Sequence, residues 1–300
     1  MALMSPGERL FKICNSAIIT VFLIITLYPL WFVICASFSD VHKLLSATFV
    51  FWPQGFTLEG YDLIFSARLI WTGYRNTILY MVAGTALNII MVMISAYPLS
   101  RRNLPGRVWM TKLIVLTMYV GGGMIPSYLV VTNLGIRDTF LAMLLPNAVS
   151  SFMIIIAISF IRSTIPESIL DAAMIDGANG IKTFCHVVFP LSAPLLGILA
   201  VSFALGYWNS YAQALIYLSN KELFPLQLVL RQILIKANSD VAKQIMGDSA
   251  RTYVDYVKLT RRNELIKYTS MVVSSLPLLV IYPFLRKYFT RGLIIGSIKE

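Results

Sequence analysis

Residues Ile13–Ala36 read ICNSAIITVFLIITLYPLWFVICA, a run with no charged side chain. A helix needs about 20 apolar residues to cross the hydrocarbon core of a bilayer. A cleaved secretory signal has a shorter apolar stretch of roughly 7–15 residues and ends at a small-residue cleavage site. This run is longer, and it carries Tyr28-Pro29-Leu30-Trp31 in place of such a site. It therefore reads as a retained membrane helix. Moving outward along the chain, five further runs have the same character: Thr77–Leu99, Leu113–Val131, Thr139–Ile161, Leu191–Leu218 and Tyr268–Phe289. The sequence thus predicts an all-α integral membrane protein of six transmembrane helices. Residues 1–12 precede the membrane domain, 13–289 form it, and 290–300 follow as a tail.

Composition supports this division. Only 13% of the 300 residues are charged, whereas a soluble domain carries roughly a quarter. Mean hydropathy is +0.74. The net charge of +11 comes from lysines and arginines at the ends of apolar runs, where they fix topology and meet anionic headgroups. That distribution disfavours nucleic acid as a partner and makes membrane lipid the expected one.

With a cytoplasmic N-terminus, the inner segments hold Arg9, Lys12, Arg101, Arg102, Arg107, Lys112, Arg162, Lys182, Arg286, Lys287, Arg291 and Lys299. The first two outer loops hold only Lys43, Arg68, Arg75 and Arg137. This asymmetry places both termini in the cytoplasm. The last outer loop, 219–267, runs against it with many Lys and Arg, but it is long and also carries Glu222, Asp240, Asp248, Asp255 and Glu264. Within that loop, Leu226, Leu230, Ile233 and Leu234 follow Pro225 at helical spacing, and Ser249–Arg262 is amphipathic. It reads either as a surface helix on the membrane or as an external contact for a soluble partner.

The apolar runs contain almost no ionisable residues. Ion-coupled carriers keep such groups at membrane depth to bind the coupling ion, and an enzyme needs an acid, base or metal set. No catalytic residue is expected. Gly121-Gly122-Gly123 lacks the lysine of a phosphate loop and allows either close helix packing or a flexible break. Cys14, Cys35 and Cys185 have no paired spacing, and the two histidines, His42 and His186, do not form a metal centre. If the chain moves a solute uphill, a separate subunit must supply the energy.

Between the fourth and fifth runs lies Ser163-Thr164-Ile165-Pro166-Glu167-Ser168-Ile169-Leu170-Asp171-Ala172-Ala173-Met174-Ile175-Asp176-Gly177-Ala178. Thr164 and Glu167 have the spacing of a capping box, Pro166 suits a first turn, and Gly177 suits a left-handed helix end. Ile169, Ala172, Ala173 and Asp176 recur on one face. Small residues at its centre permit close approach of another surface, and Asp171 and Asp176 offer charge to a basic partner. A second short helix, Ile181–Phe189, is expected to end at Pro190. By itself the segment reads as a helix–turn–helix at the cytoplasmic face.

Asp171-Ala172-Ala173, then Gly177, then Val187-x-Phe189-Pro190, resembles the EAA loop of ABC importer permeases, with Asp171, Val187 and Phe189 replacing Glu, Ile and Leu. Ile175-Asp176-Gly177-Ala178, Gly122-Gly123-Met124-Ile125-Pro126-Ser127-Tyr128, Asn133-Leu134-Gly135, Leu145-Pro146 and Tyr207-Trp208-Asn209-Ser210-Tyr211 resemble the carbohydrate-uptake, maltose-type branch. The resemblance covers nearly the whole chain. It implies a type I importer permease fold with cytoplasmic EAA coupling helices in 163–190. Asp171, Ala172, Ala173, Asp176, Gly177 and Pro190 would then couple to an ATPase. It also implies a homologous second permease subunit, usually as a heterodimer, with two ATP-binding subunits that use ATP and Mg and an extracytoplasmic substrate-binding protein. This chain would bind no cofactor itself. The setting would be the bacterial cytoplasmic (inner) membrane, and the activity oligosaccharide import. The external loop 219–267 would reach the binding protein, and its basic excess suits an acidic binding protein or an acidic oligosaccharide such as an oligouronide. The same charges also suit lipid headgroups.

For a sugar path, the fifth run offers Tyr207, Trp208, Asn209, Ser210, Tyr211 and Gln213, with Asn209 and Gln213 four apart and able to share a helix face. Tyr119, Ser127, Asn147 and Ser151 are further candidates. Buried amides in such runs either line a path or bond neighbouring helices. A permease for peptides or amino acids and an ion-coupled carrier are the alternatives.

Overall fold

Apolar residues cover every face of the first helix, Pro6–Ser37, and leave Phe11, Phe22 and Ile25 more than 60% exposed. A helix apolar all round has no solvated side, so this surface calls for lipid or another chain. Two of its hydroxyls bond within the helix: Thr20 and Thr26 each donate to the carbonyl four residues back at 2.8 Å, which satisfies polar atoms where no water is at hand.

This computed structural model describes residues 6–46, 49–246 and 259–280. They divide into two compact units, one from the segments 1–68 and 230–277, the other mainly from Leu69–Val229. In the first unit, Cys35 and Ala36 of the first helix pack with Leu44 and Val50, and Phe32 meets Tyr268 edge to face at 5.8 Å. Arg261 of the helix at 259–280 donates to Asp40 and Glu59 at 3.2 and 2.9 Å.

The second unit contains the site. Its long helix, Arg68–Ser100, packs Val92, Met93 and Ala96 against Ile154, Ala157 and Ile158 of Ser151–Thr164, and against Leu195 and Leu199 of Ala193–Trp208. Two of the expected straight runs are bent instead: Arg107–Tyr119 and Met124–Asn133 meet at 111°, and Phe140–Asn147 and Ser151–Thr164 at 54°. A third run, Leu191–Leu218, is interrupted between Ala193–Trp208 and Tyr211–Tyr217, and a 78° bend joins Ala193–Trp208 to the preceding Gly180–Leu191. Of the two readings of Gly121–Gly123, the structure takes the break: Val120 is extended, and Gly123 has φ +80°, a region that suits glycine. Among the described residues, two helices are long and apolar enough to span a membrane singly, and up to five spans result if each bent pair is one. The sixth run, Tyr268–Phe289, begins inside the helix 259–280, and its residues after 280 lie outside the described residues.

In the expected external loop, the spacing after Pro225 is realised as the helix Leu226–Met246. Of the amphipathic stretch Ser249–Arg262, residues 249–258 lie outside the described residues.

Candidate functional site

Two places in the second unit carry polar or exposed chemistry. The first is a cavity at the helix breaks. Asn88 is 3% exposed within Arg68–Ser100. Its Nδ2 donates to the Asn147 carbonyl at 2.9 Å, and its Oδ1 accepts from the Tyr207 hydroxyl at 3.1 Å. Gly84, one turn earlier, makes room for that ring, because a Cβ there would overlap Tyr207. Asn147 Nδ2 donates to Gln213 Oε1 at 2.9 Å, and Gln213 Nε2 donates to the carbonyls of Ala142 and Met143 at 3.1 Å each. Carbonyls near a helix end have lost their intrahelical donors, and the amides supply replacements.

Beside this network lies a cavity of about 340 Å³ lined by Asn88, Asn147, Val149, Ser150, Ser202, Phe203, Gly206, Tyr207, Ser210 and Gln213. Among the described residues, no carboxylate, amine or imidazole lines it. Such a wall can exchange hydrogen bonds with hydroxyls and stack a sugar face on a ring, but it offers no acid–base pair.

Of the candidates from sequence, Asn147, Tyr207, Ser210 and Gln213 line this cavity. Asn209 and Gln213 do not share one helix face: Ala193–Trp208 ends, and a new helix, Tyr211–Tyr217, starts between them. Asn209 turns back to donate to the Leu205 carbonyl at 2.9 Å, satisfying a helix-end acceptor. Trp208 is 2% exposed, with its ring 6.4 Å from Tyr74. Tyr211 and Tyr119 are exposed, Tyr119 at the end of Arg107–Tyr119. Ser127 bonds its own helix at Gly123, and Ser151 meets Thr117 at 2.8 Å. Sequence reasoning passed over Asn88, Ser150, Ser202 and Gly206. A signal existed for the first, since Asn88 is the one amide in the run Thr77–Leu99.

A polar loop closes one end of the unit. Asp138 adopts φ +58°, and its Oδ1 accepts from the backbone N–H groups of Ser219 and Asn220 at 2.8 Å each. These two bonds, aided by Arg137, hold its carboxyl below the usual carboxylate range.

The second place is the segment 163–190. The helix Glu167–Ile175 buries Leu170 and exposes Asp171, Ala172 and Asp176, with Ile175 86% exposed and Ala173 half-buried. It ends in a Schellman turn: Ala178 N–H donates to Ala173 O at 2.9 Å, Gly177 N–H donates to Met174 O at 3.1 Å, and Gly177 has φ +76°. The capping box is not formed. Ile165 is extended ahead of proline, so Thr164 closes the preceding helix and Pro166 stands at the N-cap. The Thr164 hydroxyl is buried without a partner among the described residues. Glu167, now in the first turn, pairs with Arg102 at 3.2 Å. The next helix starts at the Asn179 cap, whose side chain accepts from Lys182 N–H at 2.9 Å. It does not stop at Pro190: a wide π-turn over Phe184–Val188 leads into Phe189–Leu191. The widened turn gives the Pro190 ring room that a regular α-turn denies it.

No family model matches the chain. The permease protein YtcP of the polygalacturonan/rhamnogalacturonan transport system of Bacillus subtilis (strain 168) is 36% identical over 292 residues, covering 97% of this chain and 99% of that protein. Protein LplC of the same organism is 35% identical over 295 residues, covering 98% and 97%. Among solved structures, a bacterial ABC transporter involved in the import of the acidic polysaccharide alginate has a chain that matches with a TM-score of 0.83 and 29% identity, covering 96% of this chain and all of that one. The described residues are mostly helical and contain no strand, with bent apolar helices and a polar cavity at their breaks, and this fold resembles that of an ABC importer permease. The chain belongs to the permease family of ABC transport systems for sugars and polysaccharides.

Proposed function

We propose that this chain is one of two homologous permease subunits, six spans each in a type I arrangement, that together enclose a path for an acidic oligosaccharide of the oligouronide kind. Two ATP-binding subunits, using ATP and Mg, dock on 163–190, and an extracytoplasmic binding protein delivers substrate to the 219–267 side. The complex sits in the bacterial inner membrane with both termini of this chain cytoplasmic. This chain hydrolyses nothing. Exposed apolar faces such as Val120, Met124 and Ile125 suit the second permease subunit.

The observation that carries the reading is the exposed helix Glu167–Ile175, closed by the Gly177 turn and buried only at Leu170. Asp171, Ala172, Ala173, Asp176 and Gly177 there offer a small, acidic surface to a partner, with Pro190 at the far end of the loop. The relative named for polygalacturonan and rhamnogalacturonan and the neighbour that imports alginate favour an acidic sugar chain over a peptide or amino acid. In this scheme Asn147 and Gln213 border the path with Asn88 and Tyr207, while Trp208, Asn209, Tyr211 and Tyr119 act outside the cavity wall.

Tagged protein purified from its native membrane, wild type beside Ala173→Glu, tests this. Wild type should bring an ATPase, a second permease and a binding protein, and the variant should lose the ATPase. Uptake of oligogalacturonide should survive collapse of ion gradients while ATP remains. Absence of an ATPase under conditions that preserve membrane complexes sinks the proposal and reopens an ion-coupled carrier.

A further inference from the structure

A second cavity, of about 420 Å³, opens beside Glu167–Ile175 and is lined by Arg101, Arg102, Arg107, Arg162 and Glu167 over an apolar floor that includes Ile161 and Leu170. Four guanidinium groups face one carboxylate there, and that carboxylate is already paired with Arg102. Arg162 is also engaged: its Nε and Nη2 donate to the carbonyls of Ser100 and Leu99 at 3.2 and 2.7 Å, capping the end of Arg68–Ser100. Arg107 reaches the Arg101 carbonyl at only 3.4 Å, and the half-buried Arg101 guanidinium makes no hydrogen bond or ion pair among the described residues. Positive charge gathered in a recess without matching anions is held there at a cost, which an anionic ligand would remove. Guanidinium forks match phosphate oxygens in particular.

Depth decides the source of the anion. The cavity sits where three apolar helices end or begin: Arg68–Ser100, Arg107–Tyr119 and Ser151–Thr164. Two residues past Arg107, Trp109 is 71% exposed, with Lys112 Nζ 5.1 Å from its ring centroid. An exposed Trp beside a Lys at a helix end marks the headgroup level of a bilayer. We propose that this cavity receives the phosphate of an anionic membrane phospholipid. Because Arg102 also holds Glu167, the bound headgroup lies against the first turn of the exposed helix, so lipid composition bears on how that helix is held.

The test uses the purified complex in nanodiscs of phosphatidylcholine, with or without phosphatidylglycerol, and reads retained lipid by native mass spectrometry. Wild type should retain phosphatidylglycerol selectively. Arg101→Gln with Arg107→Gln should weaken that retention by roughly ten- to thirtyfold, from the attraction expected per basic residue near an anionic surface. Arg101→Lys with Arg107→Lys should restore most of it. Absence of selectivity in the wild type overturns the proposal whatever the variants do, as does unchanged retention in the double Gln variant. Loss of selectivity on adding inorganic phosphate assigns the site to a soluble anion. Loss of the ATPase subunit from the double Gln variant with lipid retention intact assigns it to a protein contact. Either result also overturns the lipid.

Discussion

The turn at Gly177 permits a prediction that isolates backbone conformation from packing. Gly177 has φ +76° and nothing within 4 Å of where a Cβ would stand. A side chain there meets no neighbour, so the cost is conformational alone. An L-residue held in the left-handed region costs about 1–2 kcal/mol, more for β-branched side chains, and Asn pays least. Opening the turn would break the bonds from Ala178 to Ala173 and from Gly177 to Met174 and would turn the Asn179-capped helix away from Glu167–Ile175. If partner docking requires the closed turn, Gly177→Ala should weaken ATPase association by roughly 5- to 30-fold. Gly177→Val should weaken it further, and Gly177→Asn should stay close to wild type. The assay is titration of the ATPase subunit onto the permease complex in nanodiscs, with transport-coupled ATP hydrolysis alongside. Yield and thermal stability of the permease should hold, since an added side chain at this exposed position meets no neighbour and the strain is relieved by local opening of the turn. If Val binds as well as Gly, or Asn is as impaired as Val, the turn is not what the partner reads.

Other perturbations address the cavity and the Asp138 loop. Gly84→Ala should displace Tyr207 from Asn88 and cost about 1–3 kcal/mol of stability in detergent melts, as overpacking does. Tyr207→Phe should keep the ring but leave Asn88 Oδ1 without its donor, a smaller loss of about 1 kcal/mol or more, and it should lower transport if the cavity is on the path. Asp138 has a lowered carboxyl pKa in the fold, so its contribution is full above the unfolded value of about 3.9 and disappears as pH falls through the lower folded value. Proteolysis at the 219–220 junction should rise on that acid limb, and Asp138→Asn, which tolerates positive φ, should be nicked more readily even at neutral pH.

What could be read from the sequence follows from how local each signal is. The apolar runs located the helices, because lipid imposes the same demand at every position along a span. Helical spacing after Pro225 and the left-handed glycine at Gly177 are also local, and both appear in the structure. The breaks were harder to place, because hydropathy is blind to them. Thr139–Ile161 and Leu191–Leu218 are apolar across positions where the backbone turns, and only tertiary partners such as Gln213 on Ala142 and Met143 stabilise the turned form. The assumption of an unbroken helix therefore put Asn209 and Gln213 on one face. The capping box failed for a neighbouring reason: Thr164 and Glu167 have its spacing, but Pro166 forces Ile165 out of the helix between them. Asn88 shows the limit of composition, since one amide in an apolar run announces a partner without naming Asn147 or Tyr207.

The bonding in the cavity also bears on the choice between path and glue for its amides. Gln213 spends its amide donor on two carbonyls and accepts from Asn147, and Asn88 both donates and accepts within the protein. An amide saturated in this way has little left to offer a passing hydroxyl. Yet non-helical backbone at membrane depth persists only where protein buries it or it lines a cavity, and Val149, Ser150 and Ser210, all at or beside breaks, line this one. If the cavity lies on the path, glue and path are successive layers of one site: the amides hold the breaks open, and the breaks turn serines and the Tyr207 ring towards the space between. Replacing Gln213 with Leu should therefore lower thermal stability as well as transport, because it frees the Ala142 and Met143 carbonyls. Ser202→Ala should leave stability near wild type and alter transport alone. If Gln213→Leu changes transport without any change in melting, the layers are misassigned and Gln213 itself contacts the sugar.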